Sequence, residues 1–339
     1  MKILVTGSAG FIGGYIVEEL LSKGYSVRGI DNYSKYGKVA RHYDTHPEYE
    51  FIEGDCKDTS LMTEILEECD QVVAGAAMIG GITYFHEHAY DLLAENERIL
   101  ASTFDAAISG YKKKSLAKIN VLSSSMVFEN SCIYPTPEGS ELTSPPPHST
   151  YGFQKLAVEY FARGALMQYG LPYTIIRPFN CIGVGESRAL TDKEVMSGNV
   201  RLAMSHVLPD LAQKAIKGQK PLRILGDGNQ VRHYTHGRDL ARGIRYCIES
   251  NKALNEDFNL STDRSTTVLE LARLVWREVN GDEPFAYECD KPFEFDVQKR
   301  IPDTSKATRV LGFETQAALE ESVAEVVAWV RAQVQAGLM

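Results

Sequence analysis

The feature that most constrains the fold is a glycine-rich bend near the start of the chain, TGSAGFIG. The apolar run KILVT leads into this bend, and a helical pattern follows at once. Gly7, Gly10 and Gly13 supply the small residues at the turn. A strand that enters a helix through such a bend brings free backbone N–H groups and a partial positive charge to one point. The bend therefore predicts a phosphate-binding turn that opens a strand–helix unit.

The first half of the chain alternates short apolar runs with helical patterns. The strand-like runs cover residues 2–6, 25–30, 49–54, 71–76, 117–125 and 173–178. The helical patterns cover residues 11–23, 60–69, 91–109 and 151–169. Strands and helices that alternate at this spacing form right-handed crossovers between parallel strands. The expected fold is therefore α/β, a doubly wound parallel sheet of the Rossmann type with helices on both faces.

The pattern changes after residue 180, where the chain becomes irregular and polar. A helix over HVLPDLAQKAIKG, a strand–turn–strand over PLRILGDGNQVRHY and two later helices follow. We expect one domain from residues 1–180, completed by parts of residues 225–260. A smaller C-terminal domain is expected mainly from residues 181–339, with a ligand cleft between the two.

Composition narrows the class of partner. The 339 residues carry a formal net charge of −9, which disfavours nucleic acid or an anionic membrane surface as a partner. No stretch of about 18 apolar residues is present to span a membrane, and the N-terminus lacks a signal-peptide pattern. The six cysteines are scattered without a CxxC pair, which indicates free thiols in a reducing compartment. We therefore expect a cytoplasmic protein.

The ends of the predicted strands carry residues suited to a dinucleotide. Asp31 ends the second strand, where a carboxylate accepts hydrogen bonds from a ribose diol and repels a 2′-phosphate, which favours NAD over NADP. Ala76 ends the fourth strand with a small side chain that lets the backbone approach a flat cofactor. The predicted cofactor residues are Gly7, Gly10, Phe11, Ile12, Asp31, Asn32, Asp55, Cys56 and Ala76.

A serine run and a tyrosine–lysine pair indicate where the chemistry takes place. SSS at residues 123–125 ends the fifth strand, at the carboxyl edge where such sheets bind ligands. Tyr151 and Lys155 are four residues apart and share one face of a helix. A tyrosine needs its pKa lowered by roughly three units to act as a base near neutrality, and an ammonium about 4 Å away has an effect of that order. Such a tyrosinate takes a proton from a substrate hydroxyl while hydride leaves the same carbon.

These motifs, in this order, resemble the extended short-chain dehydrogenase/reductases that act on nucleotide sugars. The matching pieces are TGSAGFIG, DNYS, GDCKD, AGAA, SSSMVF, YGFQK, RPFNCIG, ILGDGNQVRHY and PDTSKA, which span nearly the whole chain. The resemblance implies an NAD-binding first domain and a C-terminal domain that binds a nucleotide-diphosphate sugar. It also implies a homodimer that forms through a bundle of the helices at residues 91–109 and 151–169.

The resemblance also implies roles for individual residues. Ser124 is the expected catalytic hydroxyl, Tyr151 the base and Lys155 its partner, and Tyr151 and Lys155 also belong to the cofactor site. For the late cation on the diphosphate, Lys291 and Arg300 are the two candidates. The expected substrate contacts are Ser125, Met126, Asn180, His206, Val207, Arg232 and Arg300.

Departures from the family pattern restrict the reaction. The family's 4,6-dehydratases carry Asp–Glu where this chain has Ser125 and Met126. UDP-glucuronate decarboxylases carry glutamate at the second of these positions, and GDP-mannose 3,5-epimerases and GDP-fucose synthases carry cysteine there. A thioether transfers no proton, whereas a 4-epimerase needs no acid or base at that position. The resemblance therefore favours 4-epimerisation through a transient 4-keto sugar.

Two other hypotheses stay open. One is a dehydratase or 3,5-epimerase with a rearranged set of acid and base residues. The other is a non-catalytic NAD-binding protein on the same fold, against which the intact Ser124, Tyr151 and Lys155 argue. No metal site is expected, because His86 and His88 have no third ligand placed nearby.

Overall fold

A computed structural model describes residues 1–79, 88–190, 194–202, 206–292 and 297–339. The elements of the first half are β1 (Lys2–Thr6), α1 (Phe11–Ser22), β2 (Ser26–Asp31), β3 (Tyr49–Glu53), α2 (Thr59–Leu66), β4 (Gln71–Ala74), α3 (Ala89–Lys112), β5 (Lys118–Leu122), α4 (Thr150–Tyr169) and β6 (Tyr173–Pro178). Two 3-10 helices, Ser125–Phe128 and Ser140–Leu142, lie between β5 and α4.

The second half forms shorter strands and further helices. They are β7 (Cys181–Ile182), β8 (Val195–Ser197), β9 (Val200–Leu202), α5 (Val207–Ile216), β10 (Leu222–Leu225), β11 (Val231–Arg232), β12 (Thr235–His236), α6 (Gly237–Glu249), β13 (Glu256–Leu260), β14 (Thr266–Thr267), α7 (Val268–Asn280), β15 (Tyr287–Asp290), α8 (Ser305–Leu311) and α9 (Leu319–Gln335). A third 3-10 helix covers Asn251–Ala253.

Seven strands form one parallel sheet in the order β13-β6-β5-β4-β1-β2-β3. Ile3 of β1 lies opposite Val27 on one side and Gln71 on the other. The strand order reverses between β1 and β4, and ligands of such sheets bind outside the carboxyl ends at this reversal. The predicted doubly wound fold is confirmed.

Alternate residues of the central strand enter two separate cores because successive side chains point to opposite faces of the sheet. Ile3 and Val5 pack in the core formed with α1 and α6, whereas Leu4 packs in the core formed with α2, α3 and α4. All three side chains are fully buried. Helices therefore cover both faces of the sheet.

A third core belongs to the C-terminal domain. It contains apolar residues of α5, β10, α7 and α9, among them Leu211, Leu271 and Val326. In contrast, α6 packs against α1, and β13 pairs with β6 at the edge of the large sheet, with Phe258 opposite Ile176. The chain thus returns to the first domain before it completes the second. The domain boundary at residue 180 stays a prediction.

Capping side chains explain why some elements begin or end at residues other than the predicted ones. The strand predicted for residues 117–125 ends at Leu122, because the Ser124 side chain accepts a hydrogen bond from the Met126 N–H at 3.2 Å and caps the next 3-10 helix. Helix α2 begins one residue earlier than predicted, because the Asp58 carboxylate caps its first turn.

Among the residues that the structure describes, no helix is both long and apolar enough to cross a membrane. The same residues contain no group of three or more His, Cys, Asp or Glu side chains placed to hold a metal ion. His86, considered above as a metal ligand, lies outside the described residues. The cysteines are free thiols.

Candidate active site

One cavity of about 760 Å³ lies at the carboxyl ends of the sheet strands and extends to α5 and β10 of the C-terminal domain. Every residue assigned above to the catalytic, cofactor and substrate sites lines it. Of the two candidates for the late cation, Arg300 is among the described lining residues and Lys291 is not. The fold therefore brings residues from Gly7 to Arg300 to one place, while their individual roles stay predictions.

The glycine-rich bend forms part of the cavity wall. Gly7 has a φ of +73°, and a Cβ atom on it would lie 3.0 Å from the Cα of Ala76. Gly10 caps α1 without a side-chain hydrogen bond. Phe11 and Ile12, in the first turn of α1, line the cavity, so that the uncapped helix N-terminus borders it. A helix N-terminus without a capping side chain is a favourable place for a phosphate.

Asp31 connects the bend to the expected ribose position. Its Oδ2 accepts a hydrogen bond from the Ala9 N–H at 3.1 Å, and its Oδ1 accepts one from the Tyr33 N–H at 2.8 Å. Burial raises the pKa of the Asp31 carboxyl, and these backbone hydrogen bonds oppose that shift. The carboxylate thus holds the bend while it borders the cavity. The adjoining wall includes Asn32, Asp55, Cys56 and Ala76.

The three predicted catalytic residues lie on two neighbouring segments. Ser124 follows β5, whereas Tyr151 and Lys155 lie on the first two turns of α4. The side chains of Tyr151 and Ser124 are hydrogen-bonded to each other. The buried Lys155 Nζ donates to the carbonyl oxygen of Leu122 at 3.0 Å. Helix α4 is therefore joined directly to the end of β5.

Burial shifts the pKa values of Tyr151 and Lys155 in opposite directions. It lowers the pKa of Lys155 to about 8, because the ammonium loses contact with water. It raises the pKa of Tyr151, against the opposing effects of the Ser124 hydrogen bond and the Arg300 charge. The sequence predicted that the Tyr151 pKa is lowered. In the polypeptide alone the pKa is raised instead, because burial has a larger effect than the nearby hydrogen bond and charge. Tyr151 needs additional positive charge beside it to act as a base near neutrality.

Two arginines from distant parts of the chain lie on the expected substrate side. Val231 forms a parallel bridge with Lys299, and the Arg300 N–H donates to the Val231 carbonyl at 3.1 Å. The Arg232 guanidinium donates to the same carbonyl at 2.9 Å. Burial raises the pKa of the Tyr234 hydroxyl, and the positive charges of Arg232 and Arg300 oppose that shift. Two neighbouring guanidinium groups in a cavity suit a diphosphate.

The other predicted substrate residues complete this part of the wall. Ser125 and Met126 come from the 3-10 helix after β5, Asn180 follows β6, and His206 and Val207 begin α5. Met126 is buried, and its thioether has no ionisable proton. The wall therefore carries no acid or base at Met126.

The contacts of three cavity residues were not predicted from the sequence. Ser123 donates from its hydroxyl to the Glu159 carboxylate at 2.6 Å. Glu129 accepts a 2.6 Å hydrogen bond from the Ser149 hydroxyl. Glu186 contacts the imidazole of His206. Each partner is at least 20 positions away in the chain, so no local pattern indicates these contacts.

Known proteins resemble this chain along most of its length. The sequence profile of the NAD dependent epimerase/dehydratase family matches residues 3–261. The chain is 28% identical over 331 residues to a putative UDP-glucose 4-epimerase of Methanocaldococcus jannaschii, across 97% of this chain and 98% of that protein. It is also 28% identical over 342 residues to a UDP-N-acetyl-alpha-D-glucosaminuronate decarboxylase of Bacillus cytotoxicus, with 97% and 98% covered.

A solved structure extends the comparison to three dimensions. The UDP-glucose 4-epimerase of Thermotoga maritima, determined with UDP-glucose, shares 30% identity with a TM-score of 0.79, across 98% of this chain and 100% of that one. The uncapped N-terminus of α1 and the carboxylate of Asp31, both on the cavity wall, suit NAD, the family's cofactor. The chain therefore belongs to the NAD dependent epimerase/dehydratase family and uses NAD as its cofactor.

Proposed function

We propose that the protein epimerises a nucleotide-diphosphate sugar at C4 through a transient 4-keto intermediate. The observation that carries this proposal is the hydrogen-bonded Ser124–Tyr151 pair in the same cavity as Arg232 and Arg300. NAD, when bound, accepts hydride from the substrate and returns it.

In this proposal the polypeptide moves a proton and holds the sugar. Tyr151 takes the proton of the C4 hydroxyl as hydride leaves C4, and Ser124 orients that oxygen. Lys155 supplies a positive charge that, together with the oxidised cofactor, offsets the effect of burial on Tyr151. Arg232 and Arg300 hold the diphosphate while the keto sugar turns over. Tyr151 then returns the proton as hydride reaches the opposite face of C4.

Residues beside the catalytic hydroxyl support epimerisation over elimination or decarboxylation. Ser125 and Met126 place no carboxylate or thiol next to Ser124, and Met126 is buried against the cavity. A second candidate function, a dehydratase or 3,5-epimerase with a rearranged set of acid and base residues, is favoured by one observation. Glu129 places a carboxylate in the same cavity, three residues beyond Met126.

The substrate class and the assembly are part of the proposal. UDP sugars are the first substrates to test, because two relatives described above act by name on UDP-glucose. We propose a homodimer through α3 and α4, which expose the apolar side chains of Tyr90, Tyr160 and Met167. We place the protein in the cytoplasm, without a nucleic-acid or membrane partner. Residues 1–180 form the proposed NAD-binding domain, with residues 181–339 mainly for the nucleotide sugar.

A panel of nucleotide sugars tests the reaction. The NAD-loaded protein is incubated with UDP, dTDP, GDP and CDP sugars. The products are separated by chromatography, and their molecular masses are measured by mass spectrometry. The proposal predicts interconversion of one pair of C4 epimers of equal mass. A product lighter by one water would establish the dehydratase instead. Turnover of none of them by a protein that retains NAD would favour the non-catalytic alternative.

A further inference from the structure

The two catalytic segments must be held at a fixed distance from each other. Ser124 lies between β5 and the 3-10 helix Ser125–Phe128, whereas Tyr151 and Lys155 lie on α4. The hydrogen bond between Ser124 and Tyr151 joins groups from both segments. Small relative shifts of reacting groups cost large factors in rate. Contacts that fix one segment against the other therefore influence the chemistry that we propose.

One end of this junction is fixed at the sheet. Lys155 Nζ donates to the Leu122 carbonyl at 3.0 Å. The next residue, Ser123, donates to the fully buried carboxylate of Glu159 at 2.6 Å. These two contacts hold β5 against the second and third turns of α4. Neither contact involves the first turn of α4, which carries Tyr151, so other contacts must fix that turn.

Glu129 holds the other end. It directly follows the 3-10 helix, and its Oε2 accepts hydrogen bonds from the Ser149 hydroxyl at 2.6 Å and the Ser149 N–H at 3.2 Å. Ser149 is the N-cap of α4, and its hydroxyl oxygen accepts from the Gly152 N–H at 3.0 Å. A continuous chain of hydrogen bonds thus runs from Glu129 to Gly152, the neighbour of Tyr151.

Packing at Gly152 shows how closely the segments approach. A Cβ atom on Gly152 would lie 2.8 Å from Glu129 Oε2 and 2.9 Å from the Met126 carbonyl oxygen. The backbone of α4 therefore rests directly on the Glu129 carboxylate. A carboxylate also suits this place because the helix N-terminus carries a partial positive charge. A glutamate at the end of the 3-10 helix thus fits both the space and the charge.

We propose that Glu129 is a positioning residue, which fixes the first turn of α4 against the Ser125–Phe128 turn and so sets the Ser124–Tyr151 hydrogen bond. This inference rests on the proposed function for its effect on turnover. It differs from proton transfer by Glu129 to the substrate, because positioning needs only an acceptor for Ser149. A glutamine side chain provides such an acceptor, and an alanine does not.

The test compares Glu129→Ala and Glu129→Gln with a matched control, Glu270→Ala. Glu270 caps α7 in the same manner, since its Oε2 accepts from the N–H and the hydroxyl of the N-cap residue Thr267 at 2.6 and 2.9 Å. We expect Glu129→Ala to lower kcat by about 10- to 100-fold with KM changed by less than about threefold. We expect Glu129→Gln to recover most of the wild-type kcat, and Glu270→Ala to leave kcat unchanged.

Three outcomes of the kinetic test would overturn the inference. Glu129→Gln as inactive as Glu129→Ala would mean that Glu129 transfers a proton. Glu129→Ala with wild-type kcat would mean that the contact has no catalytic effect. A loss of kcat in Glu270→Ala equal to that in Glu129→Ala would assign the effect to general destabilisation of a helix.

Ionisation of Tyr151 gives a second readout that needs no substrate. The tyrosinate absorbance of each NAD-loaded variant is titrated against the same variant with Tyr151→Phe, so that the difference reports Tyr151. A weaker Ser124 hydrogen bond raises the Tyr151 pKa, so we expect an upward shift in Glu129→Ala and a wild-type midpoint in Glu129→Gln. An unshifted midpoint in Glu129→Ala overturns the inference. Inactivity of the wild type on the whole panel would instead refute only the proposed function.

Discussion

The Nζ atom of Lys155 lies 3.0 Å from the carbonyl oxygen of Leu122, so helix α4 is joined to the last residue of strand β5. Lys155 is buried, with 5% of its surface exposed. A carbonyl dipole compensates an ammonium less fully than bulk water does. The contact therefore positions Lys155 at a cost in stability that depends on pH.

The first prediction concerns that cost. Burial lowers the pKa of Lys155 from 10.5 to about 8, so between these values the unfolded chain binds more protons than the folded one. The Lys155 contribution to stability therefore rises with pH across this window and is constant below it. Relative to Lys155→Met, the free energy of unfolding of the wild type should rise by about 2–3 kcal/mol from pH 7.5 to pH 10. Urea unfolding of both proteins measures it, and a difference independent of pH would be inconsistent with a buried ammonium.

The second prediction concerns the base. Tyr151→Phe removes the hydroxyl that is hydrogen-bonded to Ser124 and leaves the ring in place. We expect kcat to fall by about 10²- to 10⁴-fold, as is usual for the loss of a general base, with NAD content and melting temperature close to those of the wild type. Steady-state kinetics on the substrate found in the panel measures it. Wild-type turnover by this variant would exclude Tyr151 as the base.

The third prediction concerns the glycine-rich bend. A Cβ atom on Gly13 would overlap the carbonyl oxygen of Gly7, which is backbone and has no room to move aside. We expect Gly13→Ala to lower stability by about 1–3 kcal/mol and to release NAD. Gly164→Ala on α4 is the control, because nothing lies within 4 Å of its Cβ position, and it should stabilise the helix by about 0.5–1 kcal/mol. Absorbance of the purified proteins reports bound NAD, and equal NAD content in both variants would argue against the predicted phosphate turn.

The fourth prediction concerns the buried charges behind the catalytic helix. The fully buried Arg177 donates to Glu159 from Nε and Nη2 at 2.7 Å each, and from Nη1 to Asp257 at 2.6 Å. Arg177→Ala takes this partner from the fully buried Glu159 and Glu141 and from the partly buried Asp257. We expect a loss of about 3–5 kcal/mol. Arg264→Ala breaks an exposed pair with Glu320 and should cost less than about 1 kcal/mol. Similar urea midpoints for the two variants would mean that the buried cluster contributes little.

Local sequence patterns predicted most strands of the large sheet. KILVT and YTIIRP became β1 and β6 with the predicted bounds, because apolar β-branched residues in short runs fit buried parallel strands. EDFNL, which forms the edge strand β13, was not singled out because polar residues interrupt it. The end of β5 was placed too late because apolar character does not reveal that Ser124 caps a 3-10 helix.

The candidate site was predictable only where ordered motifs define it. The bend, Asp31 and the Tyr151–Lys155 pair have fixed places relative to strands and helices, and all line the cavity. Arg232 and Arg300 are brought together by a parallel β-bridge between the preceding residues, Val231 and Lys299. No local sequence pattern indicates this bridge. Glu129 was missed for the same reason.

Epimerisation at C4 is tested most directly by the fate of the substrate's carbon-bound hydrogens. The active nucleotide sugar is converted by the NAD-loaded protein in heavy water, exchangeable deuterons are washed out with ordinary water, and the product is analysed by mass spectrometry. We predict a C4 epimer of unchanged mass, because hydride removed from C4 returns to the same carbon. A product that has gained carbon-bound deuterium would show that a proton was exchanged beside the keto group, and a product that has lost water would show elimination. Either result would refute direct 4-epimerisation.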